Sequence, residues 1–464
     1  MNIQFKEMSV KKIIGLVFPV SIAFLAFGCE PPTTTTNTAT VNTNTAAVNS
    51  APVNSANTAV VNKESQSKMP VTLPVLDAMF SDEAFAGELK SKLQLTDEEI
   101  QNIKNLSRTA VSDLNESKAD ENAGSTRAAM ERADKQIREK LGDEKAMKLF
   151  DFVRERWSSG MEEATNNPAS KSGSIPTDTR IVVNAPAYRM DIFQEGKLIK
   201  SYKIGIGYPE FPLPSGMRKA DTIIFNPTWT PPDEPWVKGK VEAGKTVAAG
   251  DKLNPLGPIK IPIGLPSLIH GGKSPAKLGG FASHGCVGLT SPQVQDFTLE
   301  LAKISGLSLT PEDIKNYEKQ KTETKNVKLD KAIPVELRYE TIVVEDGKLK
   351  IYRDVYERGT NTEENLRRVL EGYGVSFESL TEPERVKITA GLKQMAIDAT
   401  GNPIEVNANS NSNSNSSKTS SMNSNSTDSN VTRNIKGKKE VSFDIAELKG
   451  KGYPAMLGAK ELKK

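Results

Sequence analysis

His270-Gly271 and the run Ser283-His284-Gly285-Cys286-Val287 hold nearly all the thiol and imidazole chemistry of this chain, which has only two cysteines and two histidines in 464 residues. Both histidines stand within 286 − 270 = 16 positions of Cys286. A thiol with an ordinary pKa of ~8.5 is only a few per cent anionic at neutral pH, and a nearby imidazole activates it by taking the proton or stabilising the anion. Gly285, directly before the thiol, permits a tight turn that can aim backbone N–H groups at the oxyanion of a tetrahedral intermediate. Taken singly, Cys286 could be a small buried hydrophobe, and either histidine a satisfied structural group. Taken together, a nucleophile, a base and a glycine turn in one window point to acyl transfer. Zinc is the competing use of such residues. The order H-x13-H-x-C is not a recognised zinc spacing and lacks a clear acidic partner, so neither metal nor organic cofactor is expected.

The other cysteine, Cys29, closes a different signal. Lys6, Lys11 and Lys12 precede an apolar run over residues 13–27 that ends in Ala26-Phe27-Gly28-Cys29. The run is shorter than the ~20 residues that span a bilayer and reads as an export signal over residues 1–29. Its end resembles the lipobox of bacterial lipoproteins, which implies lipidation at Cys29, a membrane anchor, and a place in the cell envelope facing the periplasm or wall. Cys286 is then the single free thiol of an exported chain, where thiols are normally paired or avoided. Lys plus Arg number 61 against 58 Asp plus Glu, a net charge of +3, so no basic field marks a nucleic-acid binder.

Residues 30–70 are rich in Thr, Asn, Ala, Val and Ser, cannot bury enough apolar surface to fold, and read as a tether. A helical segment follows at 71–170: Thr96 and Glu99 form a capping box before Ile100, Ile103, Leu106, Ala110, Val111 and Leu114, and a second helix runs through Ile137, Leu141, Leu149, Phe152 and Val153. This suits a small helical hairpin. From about residue 179 the period becomes that of strands, with a hairpin turn at Glu195-Gly196-Lys197 and another at Glu345-Asp346-Gly347. Residues 178–356, with a core at 178–307, are expected to form a mainly β catalytic domain. Helical spacing returns within 357–400. An Asn/Ser-rich linker occupies 401–434, and a basic tail of no assigned structure occupies 435–464.

The window resembles the L,D-transpeptidases with a YkuD-type catalytic domain, whose signature is His-Gly, a spacer of about this length, then Ser-His-Gly-Cys and a hydrophobic residue. Residues 181–207, the loop Pro212-Leu213-Pro214-Ser215-Gly216 and Asn254-Pro255-Leu256-Gly257 resemble the family's opening strands and cleft loops. The resemblance implies a β-sandwich or partial barrel and a two-step reaction on peptidoglycan stem peptides. Cys286 would be the nucleophile, His270 the proton donor and acceptor, and His284 a supporting group, with Ser283 and Gly285 shaping the turn and oxyanion site. Many members carry Arg or Asn two residues after the cysteine, where this chain has Gly288. Lys273 or Lys277, with Gly271 in the same spacer, could meet the substrate instead. The competing readings are an envelope carboxypeptidase or cysteine peptidase, which uses the same thioester with water as acceptor, and a non-catalytic wall-binding lipoprotein.

Overall fold

The structure is a computed structural model that describes residues 67–80, 82–112, 125–157, 173–231, 244–264, 266–399, 401–404 and 435–458. The export signal with Cys29, nearly all of the tether and the Asn/Ser-rich run lie outside the described residues. No helix among the described residues is long and apolar enough to cross a membrane.

The cleft is carried by a mixed eight-stranded sheet. Its members are β1 (Arg180–Asn184), β2 (Arg189–Gln194), β3 (Lys197–Lys203), β5 (Gly216–Phe225), β6 (Ile259–Pro262), β7 (Leu268–His270), β9 (Val287–Gly288) and β10 (Lys325–Arg338), in the order β3-β2-β1-β10-β5-β6-β7-β9. The short β4 (Ile206–Gly207) pairs with β8 (Phe281–Ser283) beside it. The expected turn at Glu195-Gly196 joins β2 to β3 with φ of 50° and 77°, the left-handed pair that two-residue hairpins use. One face of this curled sheet is apolar: Ile259, Ile261, Ile269 and Val287 pack with Val294, Phe297 and Leu301 of an α-helix, Ser291–Ser305. Thr290 and Gln293 form the capping box that starts this helix directly after β9, so chain direction reverses one residue beyond Leu289. The fold is mainly β, with the partial-barrel character expected.

The helical segment is larger than the expected hairpin. It contains α1 (Leu73–Met79), α2 (Glu83–Leu93), α3 (Asp97–Ser112), α4 (Thr126–Leu141) and α5 (Asp143–Trp157), which share a core of their own around Leu76, Phe85, Leu89, Ile103, Ile137 and Phe150. Thr96 and Glu99 do cap α3, each side chain bonding the other's backbone N–H at 3.2 and 2.9 Å. The run expected as a single second helix breaks at Gly142, whose φ of 75° ends α4 before α5 begins. A further core lies under the second hairpin, β11 (Ile342–Glu345) and β12 (Lys348–Tyr352), which the helices Glu363–Gly372 and Glu382–Met395 cover. The tail left unplaced from the sequence adds β13 (Glu440–Asp444) to this hairpin, and its Tyr453 reaches back to Asp191 of β2 at 2.9 Å.

Candidate active site

His270 stands at the centre of a row of three strands. Lys260 on β6 is its antiparallel partner and Gly288 on β9 its parallel partner. Residues paired across strands project to the same face, so these three positions share the face opposite the isoleucine core. The bend at residues 284–286 delivers Cys286 to the start of β9, two residues before Gly288. The same two ammonium groups, Lys260 and Lys273, act electrostatically on both Cys286 and His270.

His270 is only 3% exposed, and its Nδ1 lies 2.8 Å from the Gly271 carbonyl oxygen. A carbonyl can only accept, so this contact assigns a proton to Nδ1 and makes Nε2 the basic nitrogen of the neutral ring. Burial, with Lys273 next in effect, pushes the imidazole pKa down to about 3, although the Gly271 and Leu256 carbonyls oppose that shift. The ring is therefore neutral throughout the physiological range. Gly271 has no room for a side chain: an added Cβ would meet Val294 Cγ1 at 2.7 Å, so the helix after β9 packs against the peptide that orients the histidine.

Cys286 is half-buried, and burial raises its thiol pKa. Three features oppose that rise: a hydrogen bond from the Leu268 backbone, then the charges of Lys273 and Lys260. Both lysines are themselves desolvated, which lowers their pKa values, and a thiolate at Cys286 raises them again. Among the described residues neither lysine pairs with a carboxylate. Lys273 reaches the thiol by lying across Gly288, where a Cβ would sit 2.9 Å from its Cγ, 3.2 Å from Cε and 3.5 Å from Cδ. Lys277, in the short 3-10 turn Pro275–Lys277, bears electrostatically on Lys273.

The turn before the nucleophile is tied by Ser283, whose hydroxyl donates to the Cys286 carbonyl at 2.6 Å and accepts the Cys286 N–H at 3.0 Å. The Cys286 amide is thus engaged by Ser283, not aimed at open space as an oxyanion donor. Gly285 has a φ of 89°, the left-handed conformation this turn requires. The His284 ring is held edge-on between Tyr208 and Phe211, with centroids 5.2 and 4.8 Å away, so it belongs to the cleft wall formed by the segment after β4.

Residues 178–302 match the YkuD family, the L,D-transpeptidase catalytic domain. The match takes in β1 to β9 and the whole thiol and imidazole window, and leaves out the helical segment. Among solved structures, the NMR structure of the catalytic domain of an E. faecium L,D-transpeptidase is 16% identical with a TM-score of 0.23, covering 35% of this chain and 98% of that one. An L,D-transpeptidase from Mycobacterium smegmatis is 15% identical with a TM-score of 0.20, covering 35% and 58%. L,D-transpeptidase 3 from Mycobacterium tuberculosis, solved with a faropenem-derived adduct, is 14% identical with a TM-score of 0.21, covering 34% and 60%. The chain thus spans about three-fifths of each mycobacterial enzyme. No curated protein matches the chain.

Lys260, the Leu268 backbone and the Tyr208–Phe211 wall were not singled out in the sequence. Lys260 had a readable signal: it is the lone lysine in Ile259-Lys260-Ile261-Pro262-Ile263, whose isoleucines are all buried, so the alternation puts it on the polar face of the strand.

Proposed function

We propose that this protein is an L,D-transpeptidase of the cell envelope that forms a thioester between Cys286 and a peptidoglycan tetrapeptide stem. The observation that carries this reading is the buried His270, its Nδ1 held 2.8 Å from the Gly271 carbonyl oxygen and its ring flanked by the same two lysines that act on the half-buried Cys286. In the first step His270 Nε2 takes the thiol proton as the sulfur attacks the carbonyl after the third stem residue. A C–S bond forms, and the carbonyl pair moves to oxygen. Collapse breaks the C–N bond to the terminal D-alanine, whose amine leaves with the proton held by His270. In the second step an acceptor amine loses its proton to His270 and attacks the thioester, forming a C–N bond and releasing the thiol.

The stem carries carboxylates, and Lys273 and Lys260 supply two positive charges with no carboxylate beside them among the described residues. They are assigned to binding the donor's carboxylate and to the developing oxyanion. Gly271 orients the base through its carbonyl, Ser283 and Gly285 hold the turn, and His284 supports it from the wall. The lipid at Cys29 and the tether of residues 30–70 fit an enzyme that works on the wall from a membrane anchor.

Incubating the protein with a carbapenem and weighing it tests the chemistry. Wild type gains one adduct and Cys286→Ala none; an unmodified wild type would leave a non-catalytic wall-binding protein. Muropeptide analysis then fixes the acceptor, since new cross-linked dimers mean transpeptidation and tripeptides alone mean a carboxypeptidase.

A further inference from the structure

Four backbone carbonyls of the cleft wall are hydrogen-bonded by side chains from outside residues 178–302. Tyr356 Oη donates to the Gly207 carbonyl at 2.8 Å, Thr126 Oγ1 to Pro209 at 2.7 Å, Thr72 Oγ1 to Glu210 at 2.6 Å, and Arg358 Nη2 to Leu213 at 3.1 Å. Thr72 caps α1 and is 0% exposed; Thr126 is the first residue of α4 and is 2% exposed. Two helices of the five-helix unit therefore end on two consecutive peptide groups of one loop. The start of α4 is fixed a second time, because the Glu357 carboxylate accepts from Ser125 Oγ at 2.6 Å and from the Thr126 N–H at 2.8 Å. Glu357 lies between Tyr356 and Arg358, so the two sets of donors are linked to each other.

What they hold is the segment that touches the nucleophile's turn. The Tyr208 N–H donates to the Ser283 carbonyl at 2.9 Å, and Tyr208 and Phe211 clasp His284. Gly207 passes so close to the turn that an added Cβ would lie 3.1 Å from the Gly285 backbone and 2.0 Å from the Phe211 carbonyl oxygen. A loop of this kind, bridging a strand end and a catalytic turn, has few backbone bonds of its own, and its carbonyls need donors from elsewhere.

We infer that the five-helix unit is a brace for the active site, in which Thr72 and Thr126, with Tyr356, are positioning residues that hold the 207–211 wall against the turn bearing Cys286. The unit acts through hydroxyls on backbone carbonyls, so its effect depends on those hydroxyls and not on bulk. Without them the wall keeps its apolar contacts but loses its fixed distance from Gly285, and His284 and the thiol lose a single orientation.

The inference rests on Cys286 being the acylated group, and the test separates the two ideas. In the full chain, Thr72→Val/Thr126→Val is compared with Thr72→Ser/Thr126→Ser, which retains both hydroxyls, and with Tyr356→Phe, which deletes one hydroxyl and keeps the ring. Two rates are measured: carbapenem acylation, and iodoacetamide alkylation at Cys286 located by peptide mass spectrometry across pH. The valine double variant and Tyr356→Phe are expected to acylate at least about fivefold more slowly, with a displaced alkylation profile, while the serine pair stays near wild type. Wild-type rates in the valine variant, or an equal loss in the serine pair, would overturn the brace, and a wild-type Tyr356→Phe would remove Tyr356 from it. Should the valine double variant not fold, the single variants Thr72→Val and Thr126→Val, each against its serine counterpart, decide by the same comparison. If wild type takes up no carbapenem, the acyl-transfer reading fails, and the alkylation profiles then support or overturn the brace by the same comparison.

Discussion

Gly288 and Lys273 offer the sharpest test of how the cleft recognises its donor. Replacing Gly288 by Ala places a carbon 2.9 Å from Lys273 Cγ and 3.2 Å from its Cε, where apolar carbons settle at about 3.5–4.0 Å. The overlap falls on two carbons of a flexible stem, so the lysine swings away and the backbone need not move. An ammonium about 5 Å from an anion at an effective dielectric near 20 is worth about 3 kcal/mol, and recovered hydration of the freed lysine offsets roughly half of that. The remaining ~1.5 kcal/mol is about tenfold in affinity. Gly288→Ala is thus expected to raise KM for a tetrapeptide stem about tenfold in a D-alanine release assay, as is Lys273→Ala. The thiol titration moves upward in Lys273→Ala, because the lost charge is one that lowers it. Lys277→Ala, which removes a charge acting on Lys273, serves as the milder control. The double variant Lys273→Ala/Gly288→Ala carries the decision, since two changes that act through one ammonium do not add. A double variant tenfold worse than either single one would refute the reasoning, as would a Gly288→Ala enzyme with unchanged KM.

Two further outcomes follow from the same geometry. His270 is neutral when folded, with a pKa near 3, and titrates near 6.5 when unfolded, so between these values the unfolded chain binds more protons and stability rises with pH. Acidifying from pH 7 to pH 5 therefore costs about 2 kcal/mol through this group; urea melts of wild type and His270→Asn at the two pH values should differ by about that amount, and equal losses would show that the ring is not the source. Gly207→Ala drives a Cβ to within 2.0 Å of the Phe211 carbonyl oxygen, a backbone clash that no rotamer relieves, and is expected to lower the thermal midpoint by several degrees and to slow acylation; a variant with wild-type melting and rate would remove the close approach from the account.

The thiol and the two imidazoles were legible because they are rare residue types gathered in one local window, and the glycine turn beside them has few other uses. Hairpins at Glu195-Gly196 and Asp346-Gly347 were legible for a similar reason, since each puts a Gly at the second of two consecutive left-handed positions between strand-like runs. What escaped was whatever strand pairing or long contacts assemble. Lys260 reaches Cys286 only because β6 lies two strands from β9, and the order of strands is not written in either segment. The long β10 sits in the middle of the sheet, yet it reads poorly as a central strand because four residues of its exposed half are Lys325, Lys328, Asp330 and Lys331, and Pro334 lies within it. The tail was unreadable alone: β13 gains its bonds from β12, and Tyr453 gains its environment from Asp191 and the Arg189 guanidinium.

These contacts also decide what balances the charge when the thiol ionises. Burial acts on both members of the pair in the direction of neutrality, raising the thiol and depressing the imidazole, so the resting pair is thiol and imidazole and not thiolate and imidazolium. The lysines do not change this for the ring, because a like charge disfavours imidazolium, but they do favour the sulfur anion. In the proposed reaction, proton transfer to His270 is therefore uphill until something else in the pocket takes up negative charge. In the proposed acyl transfer that charge passes from sulfur to the forming oxyanion as the sulfur attacks, and the lysines that were a burden to the imidazolium then face it. A thiol arranged in this way is expected to be slow toward casual electrophiles and fast toward a donor whose carbonyl is already seated, which suits the half-buried Cys286 in the oxidising compartment of the proposed function.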